Sequence, residues 1–192
     1  MNTIFKPYTY KQNMDILSNF TPIQDNTKTL VVFAGCNGSG KSTLIANLIK
    51  QNLLSYPYIN ADLIKYKKPT LSDFEAMEVA VNEVNECINK GKSFIYETVL
   101  SHISKVELLK EAKEKGFTIK FIYVATNNPE INIERVQKRV QQGGHDVPKD
   151  KIISRFYRSK ENASKVLEFA NQSYIFENSN DINFIQWSNN RE

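Results

Sequence analysis

The sequence has few of the residues that build covalent or metal-bound scaffolds. Its 192 residues include only two cysteines, Cys36 and Cys87, and two histidines. The cysteines fall in unlike sequence contexts, which argues against a disulfide framework. A zinc site needs several Cys or His side chains at short spacings, and these four residues are scattered too widely to supply one. The sequence therefore does not suggest a fold held by disulfides or by structural zinc.

Long apolar runs are also missing. The longest, TLVVFAG at 29–35 and FIYVA at 121–125, have the length of β-strands and are too short to span a bilayer. The first 20 residues lack the unbroken apolar core of a secretory signal, because Pro7 and Lys11 interrupt it. We therefore expect a cytoplasmic protein with no membrane partner.

The positive charge is concentrated in one segment. Residues 135–160 hold eight Lys or Arg against two Asp, a net charge of +6, whereas the whole chain carries +4. The segment could be an ordinary solvated helical face. However, four of the eight residues are arginines, and guanidinium groups bind phosphate well. We interpret the segment as one that handles anions.

Strand and helix patterns alternate along the chain. Strand-like runs at 29–35, 56–63, 92–99 and 117–126 are each followed by a helical pattern. The pattern at 71–91 is closed by a glycine and has apolar residues at helical spacing, namely Phe74, Met77, Val81, Val84 and Ile88. The last two runs, SYIFENS and INFIQWS, predict two strands or a hairpin across NSND. This alternation favours an α/β fold with a mainly parallel sheet at 29–192, after a separate helical lead-in at 1–28.

Residues 35–42, GCNGSGKS, match the phosphate-binding motif G-x-x-x-x-G-K-S/T at every required position. The glycines let consecutive backbone N–H groups face inward, and the following helix adds the positive end of its dipole. We therefore predict that the loop binds ATP, with GTP as the alternative donor. Lys41 would reach the β and γ phosphates, and the Ser42 hydroxyl would coordinate Mg²⁺. The predicted nucleotide-binding residues are Gly35, Asn37, Gly38, Ser39, Gly40, Lys41, Ser42 and Thr43.

Two other residues of this loop have modest predicted roles. Cys36 occupies a variable position, so we interpret it as filler and not as a nucleophile. Asn37 is expected to serve the turn.

Acidic residues follow two of the predicted strands. Asp62 lies in INADLI and Glu97 in FIYETVL, and no strand ends in the clear Asp or Asp-Glu that is usual for mechanical and regulatory P-loop proteins. Ligands of an open α/β sheet lie outside the carboxyl ends of the strands, so both carboxylates should face one cleft. A carboxylate there can orient a hydroxyl and accept its proton, as a kinase requires. Alternatively, Asp62 merely caps the next helix, and Glu97 pairs with a lysine or extends the strand ladder.

The basic segment is predicted to form a lid. It reads as a helix, a Gly143–Gly144 hinge, a short loop and a second helix bearing arginines. Closure of such a lid excludes water, which would otherwise hydrolyse ATP, and places arginines near the developing charge. His145 lies in the loop, and we favour a turn residue over a ligand contact.

Four motifs together resemble the zeta-toxin kinase family, in particular its compact stand-alone branch. They are AGCNGSGKST at 34–43, NAD at 60–62, YETVLSH at 96–102 and GGHDVPKDKIISRFYRS at 143–159. The resemblance runs from about residue 29 to 179 and implies a P-loop kinase fold, a three-layer αβα sandwich with a helical lid at about 135–160. It further implies phosphorylation of a hydroxyl of UDP-N-acetylglucosamine or a related nucleotide sugar, and a small helical antitoxin as partner.

The resemblance also implies roles for single residues. Lys41 and Ser42 would be the phosphate and metal residues, and Asp62 the base that activates the acceptor hydroxyl. Glu97 and Thr98 would belong to the acceptor side of the cleft. Arginines of the lid would stabilise the transferring phosphoryl group, and the candidates are Arg139, Arg155 and Arg158.

Other functions remain open at this stage. The chain could be a nucleotide-dependent ATPase or switch that regulates a protein partner, or a kinase for a different hydroxyl. Phosphorylation of nucleic-acid ends is disfavoured, because no basic stripe interleaved with aromatic residues accompanies the lid.

Overall fold

The fold is taken from a computed structural model that describes residues 27–180 and 183–186. In this part of the chain six strands form one sheet: β1 (Thr29–Ala34), β2 (Tyr58–Ile59), β3 (Phe94–Thr98), β4 (Thr118–Ala125), β5 (Gln172–Glu177) and β6 (Asn183–Gln186). Their order in the sheet is β2-β3-β1-β4-β5-β6. The first five are parallel, and β6 returns antiparallel to β5 as the predicted hairpin.

The described helices are α1 (Lys41–Lys50), α2 (Ala61–Lys67), α3 (Asp73–Lys90), α4 (Ile103–Glu114), α5 (Pro129–Gln141) and α6 (Lys149–Leu167). The predicted alternation of strands and helices and the mainly parallel sheet are therefore confirmed. The predicted lead-in at 1–28 lies, except for its last two residues, outside the described part of the chain. None of the described helices has the length and the apolar character needed to cross a bilayer.

The two faces of the sheet bury separate apolar clusters. On one face, Val31 and Phe33 of β1 pack in a cluster with Leu44 and Leu48 of α1. On the other face, the alternate residues of β1 share a cluster with residues of α3, α4 and α6. Because neighbouring residues of a strand point to opposite faces, a strand of buried apolar residues requires helices on both sides. This arrangement gives the three layers of an αβα sandwich.

The buried face of α3 differs from the apolar repeat noted in the sequence. The residues that it buries are Ala76, Ala80, Val84 and Ile88, spaced four apart. Phe74 is 63% exposed and Met77 is 41% exposed, so the two large apolar residues of the first turns lie off the core-facing stripe. Two alanines therefore form the first half of the buried stripe of α3.

Candidate functional site

A cavity of about 820 Å³ lies at the carboxyl ends of β1 and β3. It brings together most of the residues predicted from the sequence, although Gly35 and Ser39 do not line it. The predicted residues that line the cavity are Asn37, Gly38, Gly40, Lys41, Ser42, Thr43, Asp62, Glu97, Thr98, Arg139, Arg155 and Arg158. The carboxyl edge of a parallel sheet is where α/β proteins bind their ligands.

The phosphate loop connects β1 to α1, and the lysine of its motif is buried. Lys41 is buried, and its ammonium donates to the carbonyl oxygen of Cys36 over 3.0 Å. Burial lowers the pKa of Lys41, and the Glu97 carboxylate opposes part of that effect. No side chain caps the first turn of α1 and no acid lies in it, so its N–H groups and the Lys41 charge are directed at the same space.

Two asparagines outside the motif hold the loop in place. The Asn178 side-chain amide, just after β5, donates to the carbonyl of Ser39 over 2.7 Å. The Asn132 amide, on α5, donates to the carbonyl of Asn37 over 2.7 Å. Neither asparagine was predicted as a site residue, because their roles depend on which strands and helices flank the loop.

A side chain at Gly40 of the loop would collide with Asn178. Its φ is +99°, and a Cβ there would lie 2.3 Å from the Asn178 amide nitrogen. We expect Gly40→Ala to displace Asn178, strain the loop and weaken ATP binding by about tenfold or more, as measured by calorimetric titration.

Gly116 offers a matched control for this substitution. Its φ is +84°, but a Cβ there would meet nothing within 4 Å, and the residue lies after α4, away from the loop. Gly116→Ala therefore carries similar backbone strain and should leave ATP affinity unchanged. Equal ATP affinities for the two variants would contradict the role given to Gly40.

Glu97, at the end of β3, is the centre of a polar network beneath the loop. Only 9% of the residue is exposed. Its Oε1 accepts a hydrogen bond of 2.8 Å from the Ser42 hydroxyl, and its Oε2 accepts one of 2.7 Å from the Asn60 amide. The Tyr58 hydroxyl also donates to Oε2. The sequence predicted Glu97 on the acceptor side, whereas the structure places its carboxylate directly against Ser42.

The network raises the pKa of the Tyr58 hydroxyl. Burial is the larger cause, and the neighbouring Glu97 carboxylate adds to it. Tyr58 therefore stays protonated and serves as a donor to Glu97. Neither Tyr58 nor Asn60 was predicted as a site residue, because a two-residue strand gives little sequence signal.

The oxygen atoms of Ser42 and Glu97 fit a magnesium ion. Mg²⁺ is usually bound by one or two protein oxygen ligands together with substrate phosphates and water. Within the described residues no group of three or more His, Cys, Asp or Glu side chains is placed to hold a metal by itself. The donors available here thus suit a metal that arrives with a nucleotide.

Asp62 lies in the first turn of α2 and lines the cavity. The alternative that Asp62 is the helix cap is wrong, because Asn60 holds that position and its Oδ1 accepts from the Leu63 N–H over 2.8 Å. Asp62 is exposed, and among the described residues no hydrogen bond or ion pair engages its carboxylate. Its oxygen atoms are therefore available to a ligand.

The lid predicted at 135–160 consists of α5, a loop and α6, and four of its arginines line the cavity. Arg155 donates to Oδ1 of Asn37 over 3.1 Å, which joins α6 to the phosphate loop. Arg139 donates to the carbonyl of His145 over 2.7 Å, while its buried Nε has no partner among the described residues. Arg158 contacts Ser154 of its own helix over 2.9 Å.

The fourth arginine, Arg135, was not among the predicted catalytic candidates. Its guanidinium donates to the carbonyls of Asn178 and Ser179 over 2.6 and 3.1 Å. Arg135 therefore links α5 to the segment after β5. In the lid loop, the His145 side chain lies 3.5 Å from the Asp73 carboxylate at the start of α3. The sequence favoured a plain turn residue at position 145, whereas the structure gives it this contact between side chains.

Cys36 connects the phosphate loop to the lid through apolar contacts. It is buried in a cluster with Val136 of α5, Val147 of the lid loop, and Ile152 and Phe156 of α6. Burial raises the pKa of its thiol, which keeps the sulfur protonated. This environment agrees with the interpretation of Cys36 as a packing residue.

The turn after β3 forms the wall of the cavity next to Glu97. The Thr98 hydroxyl oxygen accepts from the Leu100 N–H over 3.1 Å, and Leu100 adopts a φ of +58° although it is fully buried. The Asn162 amide of α6 donates to the Leu100 carbonyl over 3.0 Å. A left-handed, buried leucine is strained, and such strain is often found beside ligand sites.

Comparison with known proteins relates the chain to one family and to several solved structures. A family model described as Zeta toxin matches residues 15–190. A protein of Haemophilus influenzae, described as uncharacterized, is 34% identical over 128 residues, which cover 66% of this chain and 91% of that protein.

Two solved structures have a similar fold at low sequence identity. One is the PezAT chromosomal toxin–antitoxin system of Streptococcus pneumoniae, with a TM-score of 0.59 and 15% identity over 93% of this chain and 82% of that chain. The other is the AvrRxo1-ORF1:AvrRxo1-ORF2 complex with sulphate ions, with a TM-score of 0.60 and 17% identity over 87% of this chain and 62% of that chain.

Proposed function

Since the chain belongs to the zeta toxin family, we propose that it is an ATP-dependent kinase that phosphorylates a hydroxyl of UDP-N-acetylglucosamine or a related nucleotide sugar. Membership of the family supports a nucleotide-binding, kinase-like enzyme. The choice of acceptor rests on the motifs that this chain shares with the zeta toxins.

The observation that carries the proposal is that one cavity contains both a phosphate loop and an unpaired carboxylate. The loop binds the donor phosphates through its N–H groups and Lys41. Asp62 lines the same cavity, and no described residue engages its carboxylate. In the proposed reaction Asp62 orients the acceptor hydroxyl and accepts its proton while the hydroxyl oxygen attacks the γ-phosphorus of ATP. The bond between the γ-phosphorus and the oxygen that bridges it to the β-phosphate breaks, and ADP leaves.

The lid contributes charge and excludes water. Arg139, Arg155 and Arg158 line the cavity, and we propose that they stabilise the transferring phosphoryl group. Magnesium bound with ATP neutralises phosphate charge, and the Ser42 hydroxyl and the Glu97 carboxylate are the residues that would hold it.

An acceptor screen tests this function. The protein is incubated with Mg-ATP and a panel of hydroxyl compounds that includes UDP-N-acetylglucosamine, and the products are identified by mass spectrometry. A phosphorylated nucleotide sugar is the expected product. If ATP yields only ADP and free phosphate with every acceptor, the kinase proposal is wrong and the alternative of an ATPase or switch gains support.

The family also suggests a partner. PezAT is a toxin–antitoxin system, and by analogy we propose that a small helical antitoxin binds this chain and covers the ATP site. A short reading frame next to the gene would supply the candidate. Its purified product should reduce ATP binding in a competition assay, and an unchanged ATP affinity would exclude it.

A further inference from the structure

Lys105, just after the β3–α4 turn, has no hydrogen-bond or ion-pair partner for its ammonium among the described residues. Lys105 lies in the first turn of α4, is half-buried and lines the cavity. Its ammonium makes no hydrogen bond and no ion pair with any residue in the described ranges. Ser101 and Ser104 also line the cavity, and the Ser104 hydroxyl lies 3.0 Å from Nδ1 of His102.

The surroundings of Lys105 provide no negative charge. Burial lowers the pKa of its ammonium, and no carboxylate is close enough to oppose that effect. Lys41 differs, because Glu97 and Asp62 favour its charged form. An ammonium withdrawn from water without a counter-charge is costly, so a ligand that supplies the counter-charge would be bound favourably.

Binding of the donor phosphates by the phosphate loop does not explain why Lys105 lines the cavity. Six cationic side chains and three carboxylates line the cavity, so it is positively charged beyond the loop itself. The donor phosphates are held by the loop at the start of α1, whereas Lys105 belongs to α4, which follows β3. The first turn of α4, where Lys105 lies, contains no acidic residue.

We propose that Lys105 binds an anionic group of the acceptor, namely its phosphate or diphosphate, with the Ser101 hydroxyl as an additional donor. Lys105 then determines specificity, because it favours phosphorylated acceptors such as nucleotide sugars over neutral sugars. This inference rests on the proposed kinase function, since it assigns the acceptor end of the same cavity. Asp62 activates the hydroxyl, and Lys105 holds the acceptor by a different group.

The kinetic test compares Lys105→Met with the wild-type protein. We expect the KM for UDP-N-acetylglucosamine to rise by about tenfold to a hundredfold, because a charged hydrogen-bonding group is removed, with little change in kcat. The preference for UDP-N-acetylglucosamine over neutral N-acetylglucosamine should shrink by the same factor. Lys105→Arg should recover part of the lost affinity. Lys110→Met changes an exposed lysine of the same helix outside the cavity, and it serves as the matched control.

A binding test separates failure of the subsite from failure of the kinase proposal. With the donor site saturated by a non-hydrolysable ATP analogue, UDP is titrated into the wild-type protein and into Lys105→Met. Weaker UDP binding by the variant supports the subsite even if the acceptor screen finds no product. Equal UDP affinities, or a loss of kcat with an unchanged KM, would overturn it. A thermal melt checks folding, and since Lys105 has no described partner, its removal should not lower the Tm.

Discussion

Replacing Asp62 with asparagine is expected to lower the rate of phosphoryl transfer by at least about a hundredfold while ATP still binds. Asparagine keeps the size of the side chain and its capacity to accept a hydrogen bond, but it cannot take the proton of the acceptor hydroxyl. The phosphate loop lies on other elements, β1 and α1, and does not depend on Asp62 for its contacts. The measurement is kcat for product formation together with the Kd for ATP.

Asp73 provides the control for this experiment. Asp73 also lines the cavity and lies in the first turn of α3. Its carboxylate contacts His145 and has no proposed role in catalysis. Asp73→Asn should therefore keep most of the activity. Asp62 is exposed and does not cap α2, and Asp73 is exposed as well. Neither variant should therefore change the Tm by much. If Asp62→Asn retains full transfer, Asp62 is not the base.

The second large effect is expected for Lys41→Met, which should lower kcat by about a hundredfold to a thousandfold and also weaken ATP binding. The Lys41 ammonium is directed at the site of the β and γ phosphates, where negative charge develops during transfer. Methionine fills a similar volume but removes the charge and the hydrogen bond to the Cys36 carbonyl. Lys50→Met, at the exposed end of the same helix, should leave both quantities unchanged.

Loss of activity in Lys41→Met should not be accompanied by loss of stability. Burial lowers the pKa of Lys41, which means that the folded protein pays a free-energy cost to keep it charged. That cost is full below the folded-state pKa and fades as the pH rises towards the ordinary value of 10.5. We expect the variant without nucleotide to melt at or above the wild-type Tm at neutral pH, with the difference narrowing in alkaline buffer. A clearly lower Tm would show that the loop needs the hydrogen bond from Lys41 to Cys36.

Features with a local cause could be predicted from the sequence. The phosphate loop has required glycines at fixed positions, and the helix at α3 has a regular apolar repeat that ends at Gly91. The alternation of strands and helices likewise indicated a parallel sheet. Even so, the repeat did not give the orientation of α3, because Phe74 is largely exposed and small alanines form the packed face.

Features that depend on strand order could not be predicted. Glu97 contacts Ser42 because β3 lies directly beside β1, and Tyr58 and Asn60 reach Glu97 because β2 lies next to β3. Nothing in the local sequence of these strands encodes that order. The same holds for Lys105, whose proposed role follows from the absence of a partner among the described residues. Asp62 lines the cavity, but the cap function offered as its alternative belongs to Asn60.

The contacts between the phosphate loop and the lid have a mechanical consequence. Cys36 is packed among residues of both lid helices, Asn132 of α5 is bonded to the Asn37 carbonyl, and Arg155 of α6 is bonded to the Asn37 side chain. A movement of the lid must therefore either break these contacts or carry the loop with it. Donor affinity and lid position are then thermodynamically linked, and whatever shifts one equilibrium shifts the other by the same free energy. If the chain is the proposed kinase, binding of an acceptor under the lid would therefore change the affinity for ATP, and ATP would change the affinity for the acceptor by the same factor.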